Sequence, residues 1–187
     1  MTQKRKILVY LVMIFVPFVS LANNQILEKA RALYYEAVED EDKIEGSFQL
    51  FEDLMKNNDR YKGVAKTYLG SLTAMKAAHA FWPVKKLNLA NDGIDMMEEG
   101  VALDPDNIES LFIEGTTLFY LPFFFGKADE AEENFNRIIT LLDENAIKKY
   151  DHEMLVNVLD FIMENAELTK DQMKKAKYLK NHFSEKK

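Results

Sequence analysis

Apolar residues recur at helical spacing along almost the whole chain after residue 23, and this pattern constrains the fold more than any other feature. A helix has about 3.6 residues per turn, so apolar side chains three and four positions apart cover one face. No segment alternates for long between apolar and polar residues, as a half-buried strand would. The pattern predicts an all-α protein with eight helices, at residues 24–39, 42–57, 60–80, 84–103, 107–120, 127–143, 151–165 and 169–183.

The short links between these segments carry helix-start signals. A side-chain acceptor followed three residues later by Glu or Gln can form a reciprocal cap on the first turn of a helix. Three such pairs are present, namely Asp42 with Glu45, Asp106 with Glu109 and Thr169 with Gln172. Eight helices with short connections favour antiparallel hairpins that pack side by side.

The first 22 residues have the features of a secretory signal peptide. The basic segment Lys4–Lys6 precedes an apolar run at residues 7–19, and small residues at positions 20 and 22 suit a signal peptidase. We predict cleavage after Ala22 and a mature domain of residues 23–187 in the periplasm or outside a bacterial cell. The alternative is an uncleaved N-terminal anchor, although the run is shorter than the roughly 20 residues of a spanning helix.

Charge and cysteine content restrict the classes of function. Removal of residues 1–22 moves the formal charge from −7 to −10, because they hold three basic and no acidic side chains. An acidic protein is a poor binder of nucleic acid, so we expect no such partner. The chain has no cysteine. Its fold therefore gains nothing from disulfides after export and depends on packing, which favours a regular helical core.

One short pattern recurs at three places in the chain. Gly93, Met97, Gly100 and Pro105 follow the order small, bulky, small and proline along one predicted helix. The other two copies hold Ser47, Phe51, Leu54 and Asp59, and Ala131, Phe135, Ile138 and Asp143. Small residues allow the two helices of a hairpin to approach closely, the bulky residue fills the gap, and proline ends the helix.

This pattern resembles the second helix of the tetratricopeptide repeat, in which Ala, Phe, Ala and Pro follow at those intervals. Leu111 and Gly115 fall where the first helix of that family carries a large apolar residue and a glycine, and Tyr68 to Gly70 is a looser match. The copies lie 46 and 38 residues apart, whereas the family's usual repeat is about 34 residues. The hairpins are therefore longer than those of the family.

The resemblance covers about residues 42–143 and implies a short αα superhelix of stacked hairpins. It also implies a protein or peptide partner, bound in the groove that the first helices of the hairpins line. A non-repeating helical bundle is the alternative fold. By face and register, the candidate groove residues are Tyr34, Tyr35, Tyr68, Met75, His79, Glu114, Thr117 and Tyr120.

Two links inside the hairpins are rich in aromatic residues. The first link contains Phe81, Trp82 and Pro83, and the second runs from Phe119 to Lys127. Equivalent positions of neighbouring repeats lie side by side in a solenoid, so we expect both links at one edge of the molecule. We predict that their rings pack together and bury Trp82. The rings of the second link are Phe119, Phe123, Phe124 and Phe125.

Within this second link we expect Phe124 to be buried and either Phe123 or Phe125 to remain partly exposed, since consecutive side chains cannot all face one core. Gly126 suits a link that ends in a positive backbone angle. Packing is the favoured arrangement because exposed apolar patches of several hundred Å² are rare on soluble monomers. The alternative is that the aromatic links form an exposed surface for a protein partner or for lipid.

Catalytic motifs are absent from the sequence: it contains no Gly-x-Ser-x-Gly, no glycine-rich phosphate loop and no cysteine nucleophile. The adjacent residues Asp151, His152 and Glu153 would point in different directions on a helix, so we interpret Asp151 as a helix cap. The acidic segment Glu39–Glu45 lacks the alternating ligands and central glycine of a calcium loop. We expect no enzymatic activity, no metal site and no cofactor.

The C-terminal segment has the opposite charge to the rest of the chain. From Thr169 onwards it holds seven lysines and two acidic residues. We interpret it as a polar capping helix, which a solenoid needs for solubility. The alternative is contact with anionic lipid headgroups at a membrane surface or with an acidic protein.

These observations favour an exported, non-enzymatic scaffold that binds a protein or a peptide in the cell envelope. The alternative function is a periplasmic transport component that holds a small apolar or lipidic ligand between its helices. An open groove with polar edges would favour the first function, and an enclosed apolar cavity would favour the second.

Overall fold

The computed structural model describes residues 25–185, and this part of the chain is helical throughout, with no strand. Single-turn 3₁₀ segments lie in four of the links. Every helix end predicted within the described residues lies within two residues of its observed position, so the all-α prediction is confirmed. The eight α-helices are α1 at 25–37, α2 at Ile44–Asn57, α3 at Lys62–His79, α4 at Pro83–Leu103, α5 at Ile108–Tyr120, α6 at Ala128–Leu141, α7 at His152–Asn165 and α8 at Lys170–Ser184.

Two of the predicted helix starts are confirmed by side-chain caps. Thr169 and Gln172 form a reciprocal capping box at the start of α8. Oδ1 of Asp151 accepts hydrogen bonds from the backbone nitrogens of Glu153 and Met154, at 2.8 and 3.1 Å. These acceptors satisfy N–H groups that have no partner within their own helix.

The other two predicted caps are wrong by one or two residues. Asp40 caps a 3₁₀ turn that precedes α2, so Asp42 lies inside that turn and caps nothing. Asn107, rather than Asp106, caps α5 by accepting a hydrogen bond from the Ser110 nitrogen. The side chain of Asp106 instead pairs with Arg137 on α6 at 3.1 Å. Acidic and amide residues are equally good caps, so neighbouring candidates compete.

Small residues bring the paired helices of the hairpins into close contact, as predicted. A Cβ atom on Gly93 of α4 would lie 2.6 Å from the carbonyl oxygen of Gly70 on α3, and one on Gly100 would lie 2.5 Å from Oγ1 of Thr67. A Cβ atom on Gly115 of α5 would lie 2.8 Å from the ring of Phe135 on α6. A side chain at Gly93 or Gly100 would require a shift of α3, and one at Gly115 would require the ring of Phe135 to move.

The bulky residues of the three copies are fully buried, and they lie in two adjoining cores. Phe51 lies in a core formed mainly by α1, α2 and α3, whereas Met97 and Phe135 lie in a core formed by α4 to α8. Ile113 of α5 belongs to the first core, although most of its helix belongs to the second. Helix α5 therefore joins the two cores.

The first helices of successive hairpins lie side by side and form one inner face. Tyr34 of α1 contacts Ser71 of α3, Ser71 contacts Thr117 of α5, and Phe112 of α5 packs against Phe161 of α7. This order of α1, α3, α5 and α7 is the arrangement that stacked hairpins require. The inner face carries the candidate functional site.

The N-terminal signal peptide predicted at residues 1–22 lies outside the described residues. Within residues 25–185, no helix combines the length and the apolar character that crossing a membrane requires.

Candidate functional site: a groove on the inner face

A cavity of about 710 Å³ opens on the inner face between α1, α3, α4 and α5. Aliphatic and aromatic side chains form most of its walls, and Lys86 at the rim carries the one charge among the described residues that line it. We call this cavity the apolar compartment. The side chains that matter most below are Tyr34, Ser71, Met75, Thr117, Tyr120 and Phe124.

Three hydroxyl groups form a chain of hydrogen bonds on the floor of the apolar compartment. Thr117 donates to the carbonyl oxygen of Ile113 at 2.7 Å. Because a hydroxyl has a single proton, Ser71 must donate to Thr117 at 2.8 Å, and Tyr34 must donate to Ser71 at 2.9 Å. Burial raises the pKa of Tyr34 to about 12, so its hydroxyl keeps the proton at neutral pH. The chain therefore runs in one direction, from α1 through α3 to α5.

A second cavity of about 690 Å³ adjoins the first and has a different chemical character. Tyr35, Phe112 and Phe161 line both cavities, so the two lie side by side on the inner face, and together we call them the groove. Carboxylates outnumber basic groups in the second cavity, which we call the acidic compartment. Its charged residues are Glu28, Arg31, Glu109, Lys149, Asp151 and Glu153.

A buried ionic network lies beneath the acidic compartment. Nε of Arg31 donates to Oε1 of Glu109 at 2.6 Å, and a second guanidinium nitrogen contacts the other carboxylate oxygen. Tyr68 donates to Oε1 of Glu109 at 2.7 Å. Burial by itself would lower the pKa of Arg31, but its hydrogen bond to Glu109 and the charge of Glu109 raise the pKa above its usual value. The guanidinium of Arg31 therefore keeps its charge at any ordinary pH.

The two aromatic links flank one end of the groove. Ala78 and Lys86, on either side of the first link, line the apolar compartment together with Phe124 and Phe125 of the second. Gly126 has a φ of 66°, as expected for the end of that link. The register of the repeats thus predicts the relative position of the links.

The prediction that the rings of the links are packed and buried is wrong. Trp82 is 67% exposed, Phe124 is 63% exposed and Phe123 is 94% exposed. Phe81 contacts Trp82 edge to face, with ring centroids 5.1 Å apart, and is itself exposed. The expectation that Phe123 or Phe125 remains exposed is confirmed for Phe123.

Backbone geometry explains the exposure of the links. Each proline follows a residue in extended conformation, at Trp82 and at Leu121, which directs the link away from the hairpin. Phe123 to Phe125 then form a 3₁₀ turn, which points their rings in different directions. Two rings of the second link do reach the core formed by α4 to α8. Phe119 contacts Phe161, and Phe125 packs against the buried residues of that core.

Five of the eight predicted groove residues line the apolar compartment. Tyr34 and Thr117 lie on its floor, Met75 forms part of its wall, and Tyr35 and Tyr120 lie at its open side, where Tyr120 is 72% exposed. The assignment of first helices to the inner face accounts for this agreement.

The structure places the other three predicted groove residues elsewhere. Tyr68 is fully buried and bonded to Glu109, so it supports the groove from below. His79 lines a separate cavity of about 440 Å³, where its Nδ1 lies 2.5 Å from Oε2 of Glu41. Glu114 faces α6, where it accepts a hydrogen bond from Nδ2 of Asn134 at 2.8 Å. Tyr68 and His79 lie seven residues before and four residues after Met75, so they share its stripe of α3 but not the walls of the apolar compartment.

Several groove residues were missed by the sequence analysis. Phe112, Ile113 and Thr116 lie on the same stripe of α5 as Thr117 and Tyr120, at spacings of three and four residues. That spacing was available in the sequence and could have identified them. Phe161 packs against Phe112 and Phe135. Nothing in its spacing indicates that one side of the ring also lines the groove.

No protein-family model, curated protein sequence or solved structure matches the chain.

Proposed function

We propose that the protein is an exported, non-enzymatic helical-repeat scaffold of the tetratricopeptide type, and that it binds a partner protein through the inner-face groove. The supporting observation is the exposed aromatic surface, which continues from the apolar compartment onto both links. Trp82 and Phe123 lie outside the compartment itself and still expose most of their surface. Exposed apolar patches of this kind mark interaction sites on soluble proteins.

The extent of this surface favours a protein over a small ligand as the occupant. A small molecule within the apolar compartment would cover Phe124 and Tyr120 but would leave Phe81, Trp82 and Phe123 in water. A protein segment that continues past the rim covers all of them, and aromatic residues are the usual anchors of such interfaces. The groove then provides the central pocket, and the links provide its border.

A second candidate function is supported by the size of the apolar compartment. Its volume of about 710 Å³ lies within the roughly 300–1,000 Å³ typical of small-molecule sites. Walls of aromatic and aliphatic side chains with a few hydroxyls would suit an apolar or lipidic ligand. A transport component that carries such a ligand in the periplasm is therefore the alternative.

Site-specific photo-crosslinking in the native envelope distinguishes the two functions. A photo-reactive amino acid replaces Tyr120 in the groove, and in the matched control it replaces Tyr178, an exposed tyrosine on α8. We expect one protein adduct that forms at position 120, fails to form at position 178 and disappears in the Phe124→Ala background. Mass spectrometry of the same purified samples detects bound lipids or small apolar molecules.

Each outcome of this experiment favours one function. A bound apolar molecule without a protein adduct supports the carrier instead of the scaffold. Protein adducts of equal yield at positions 120 and 178 would contradict both functions. The absence of any protein adduct, together with the absence of a bound lipid or small apolar molecule, would also contradict both. The mass of the exported protein tests export separately, since we expect its first residue to be Asn23; a chain that retains residues 1–22 would favour the N-terminal anchor.

A further inference from the structure

The hydroxyl groups on the groove floor have no proton to offer a ligand. Tyr34, Ser71 and Thr117 each donate within the chain that ends on the carbonyl of Ile113. Thr116 donates to the carbonyl of Phe112 at 2.8 Å. An extended peptide needs donors from its binding surface to pair its backbone carbonyls, whereas a helix pairs its own. The apolar compartment is therefore suited to the apolar stripe of a helix.

The acidic compartment has an excess of negative charge that its own cations do not balance. Arg31 pairs with two carboxylates, Glu109 and Glu28, and its distance to Oε1 of Glu28 is 2.5 Å. Glu153 lies at the exposed start of α7, and within residues 25–185 its carboxylate forms no ion pair. Among the residues that line this compartment, four carboxylates face two cations.

The remaining charged groups do not reverse this balance. Lys149 lies over the ring of Tyr150, with Nζ 5.1 Å from the ring centroid, and in the field of Asp104 and Asp106. Asp151 is occupied as the cap of α7, which leaves Glu28 and Glu153 as the exposed carboxylates that can meet a new cation. At the other end of the groove, Lys86 is the charged residue of the apolar compartment and would repel a second cation.

These two compartments together define the chemistry of the occupant and the end of the groove at which its cation lies. We infer that the segment bound in the groove is an amphipathic α-helix of a partner protein, with its apolar stripe on the apolar compartment and Lys or Arg at the end over Glu28 and Glu153. Three residues line both compartments, namely Tyr35, Phe112 and Phe161. A helix that lies over them can therefore make the apolar contact and the charged contact at the same time. The inference rests on the proposed function and specifies its partner segment.

The test uses three synthetic helical peptides of about 18 residues, or about 27 Å. They share one apolar stripe and carry Lys, Gln or Glu in their last turn; a second set carries these residues in the first turn. Fluorescence anisotropy measures the affinity of the full mature chain for each. In one of the two sets we expect the Lys peptide to bind about fivefold tighter than the Gln peptide at low salt, and the Glu peptide to bind weakest. The difference should shrink at about 0.5 M salt.

Two double variants locate this charge preference. Glu28→Gln with Glu153→Gln should reduce the preference for Lys over Gln to less than about twofold. Asp92→Asn with Glu133→Gln changes the net charge equally at exposed sites on α4 and α6, and should leave the preference intact. Phe124→Ala should weaken all peptides by a similar factor, because it removes apolar contact without changing charge.

The results separate this inference from the proposed function. Equal affinities for the Lys, Gln and Glu peptides, or equal loss of preference in the two double variants, would overturn the inference while peptide binding still supports the scaffold. If no peptide binds, or if Phe124→Ala leaves all affinities unchanged, the groove is not a site for helical segments and the inference fails, while crosslinking at position 120 still decides the proposed function.

Discussion

The interface between α3 and α4 and the two aromatic links occupy different parts of two neighbouring hairpins and differ in almost every physical respect. The interface is held by backbone contacts at Gly70, Gly93 and Gly100, where no side chain fits. The links, at the tips of this hairpin and of the next one, expose large rings, among which Phe81 contacts Trp82 and Phe123 contacts Phe124. Stability therefore depends on the interior of the hairpin, and the capacity to bind lies at its tip.

The additional length of the α3–α4 hairpin lies in its helices: Gly93 is the eleventh residue of α4, whereas Ser47 and Ala131 are each the fourth residue of α2 and α6. The small and bulky positions nevertheless keep their spacing in all three copies. Substitutions in the two regions should consequently have separable effects. The predictions below test this separation, in order of decreasing effect on stability.

The largest loss of stability is expected for Phe135→Ala in the interior. The ring is fully buried against Gly115 and Phe161. Removal of a buried Phe side chain typically costs about 3–5 kcal/mol, because transfer and cavity terms add. Chemical denaturation followed by circular dichroism measures the free energy of unfolding. A loss of less than about 1 kcal/mol would contradict the tight interior that we describe.

Overpacking of the hairpin interface should have the next largest effect. Gly100→Leu introduces atoms where even a Cβ would lie 2.5 Å from Oγ1 of Thr67, and we expect a loss near the upper end of about 1–3 kcal/mol. The matched control is Gly46→Ala on α2, where the added Cβ would lie 3.8 Å from Leu33. This control should be neutral or stabilising by up to about 1 kcal/mol. Equal effects of both substitutions would contradict the role of Gly100.

A smaller, pH-dependent effect is expected at Glu114. Burial raises the pKa of this carboxyl, the hydrogen bond from Asn134 opposes the shift, and the charges of Glu98 and Glu130 add to it. The folded state therefore holds the proton more tightly than the unfolded state, and stability decreases as pH rises from the ordinary pKa of a glutamate through the raised one. Above the raised pKa the cost is constant.

The variant Glu114→Gln removes this titration but can still accept the hydrogen bond from Asn134. Its advantage over the wild-type protein should grow as pH rises from about 4 and then level off. Denaturation midpoints between about pH 4 and about pH 8 measure it, with the exposed Glu133→Gln as a control for the loss of one charge. Parallel stability curves for the wild-type protein and Glu114→Gln would show that burial of the carboxyl has no energetic consequence.

The smallest effect on stability is expected in the links. Phe124→Ala should change the free energy of unfolding by less than about 1 kcal/mol, because most of the ring is already in water. The same substitution should weaken the binding of the partner. Trp82 is the single tryptophan of the chain, and at 67% exposure its fluorescence should be red-shifted and readily quenched. A blue-shifted emission that is poorly quenched would instead indicate that Trp82 is buried and the links are packed.

The sequence predicts the interior of this protein better than its edges. Gly93, Gly100 and Gly115 are recognisable because close contact between helices admits one type of residue at each position. Helix bounds follow from the same apolar periodicity that drives burial. Within the links, the hydrophobic character of Trp82 and Phe124 indicates burial, whereas backbone direction after the prolines determines the outcome. A local pattern contains no information about that direction.

The candidate site was predictable where it depends on a helix face and unpredictable where it depends on contacts between distant residues. Tyr34 and Thr117 lie on the inner face because their register places them there. Glu109 was interpreted as a capping residue near the start of α5. Its side chain instead pairs with Arg31, which lies 78 positions earlier. This contact forms only when three successive hairpins pack against one another. No spacing rule within one helix reveals such a pair.

The ion pair between Arg31 and Glu109 also affects how the chain unfolds. In an ideal solenoid each repeat contacts its neighbours alone, so the ends can fray without disturbing the middle. Here α1 of the first hairpin is joined to α5 of the third, across α3, by a buried carboxylate that also accepts a bond from Tyr68. Detachment of α1 would leave that carboxylate without its cation inside the protein, which is strongly unfavourable. The first three hairpins should therefore unfold as a single cooperative unit.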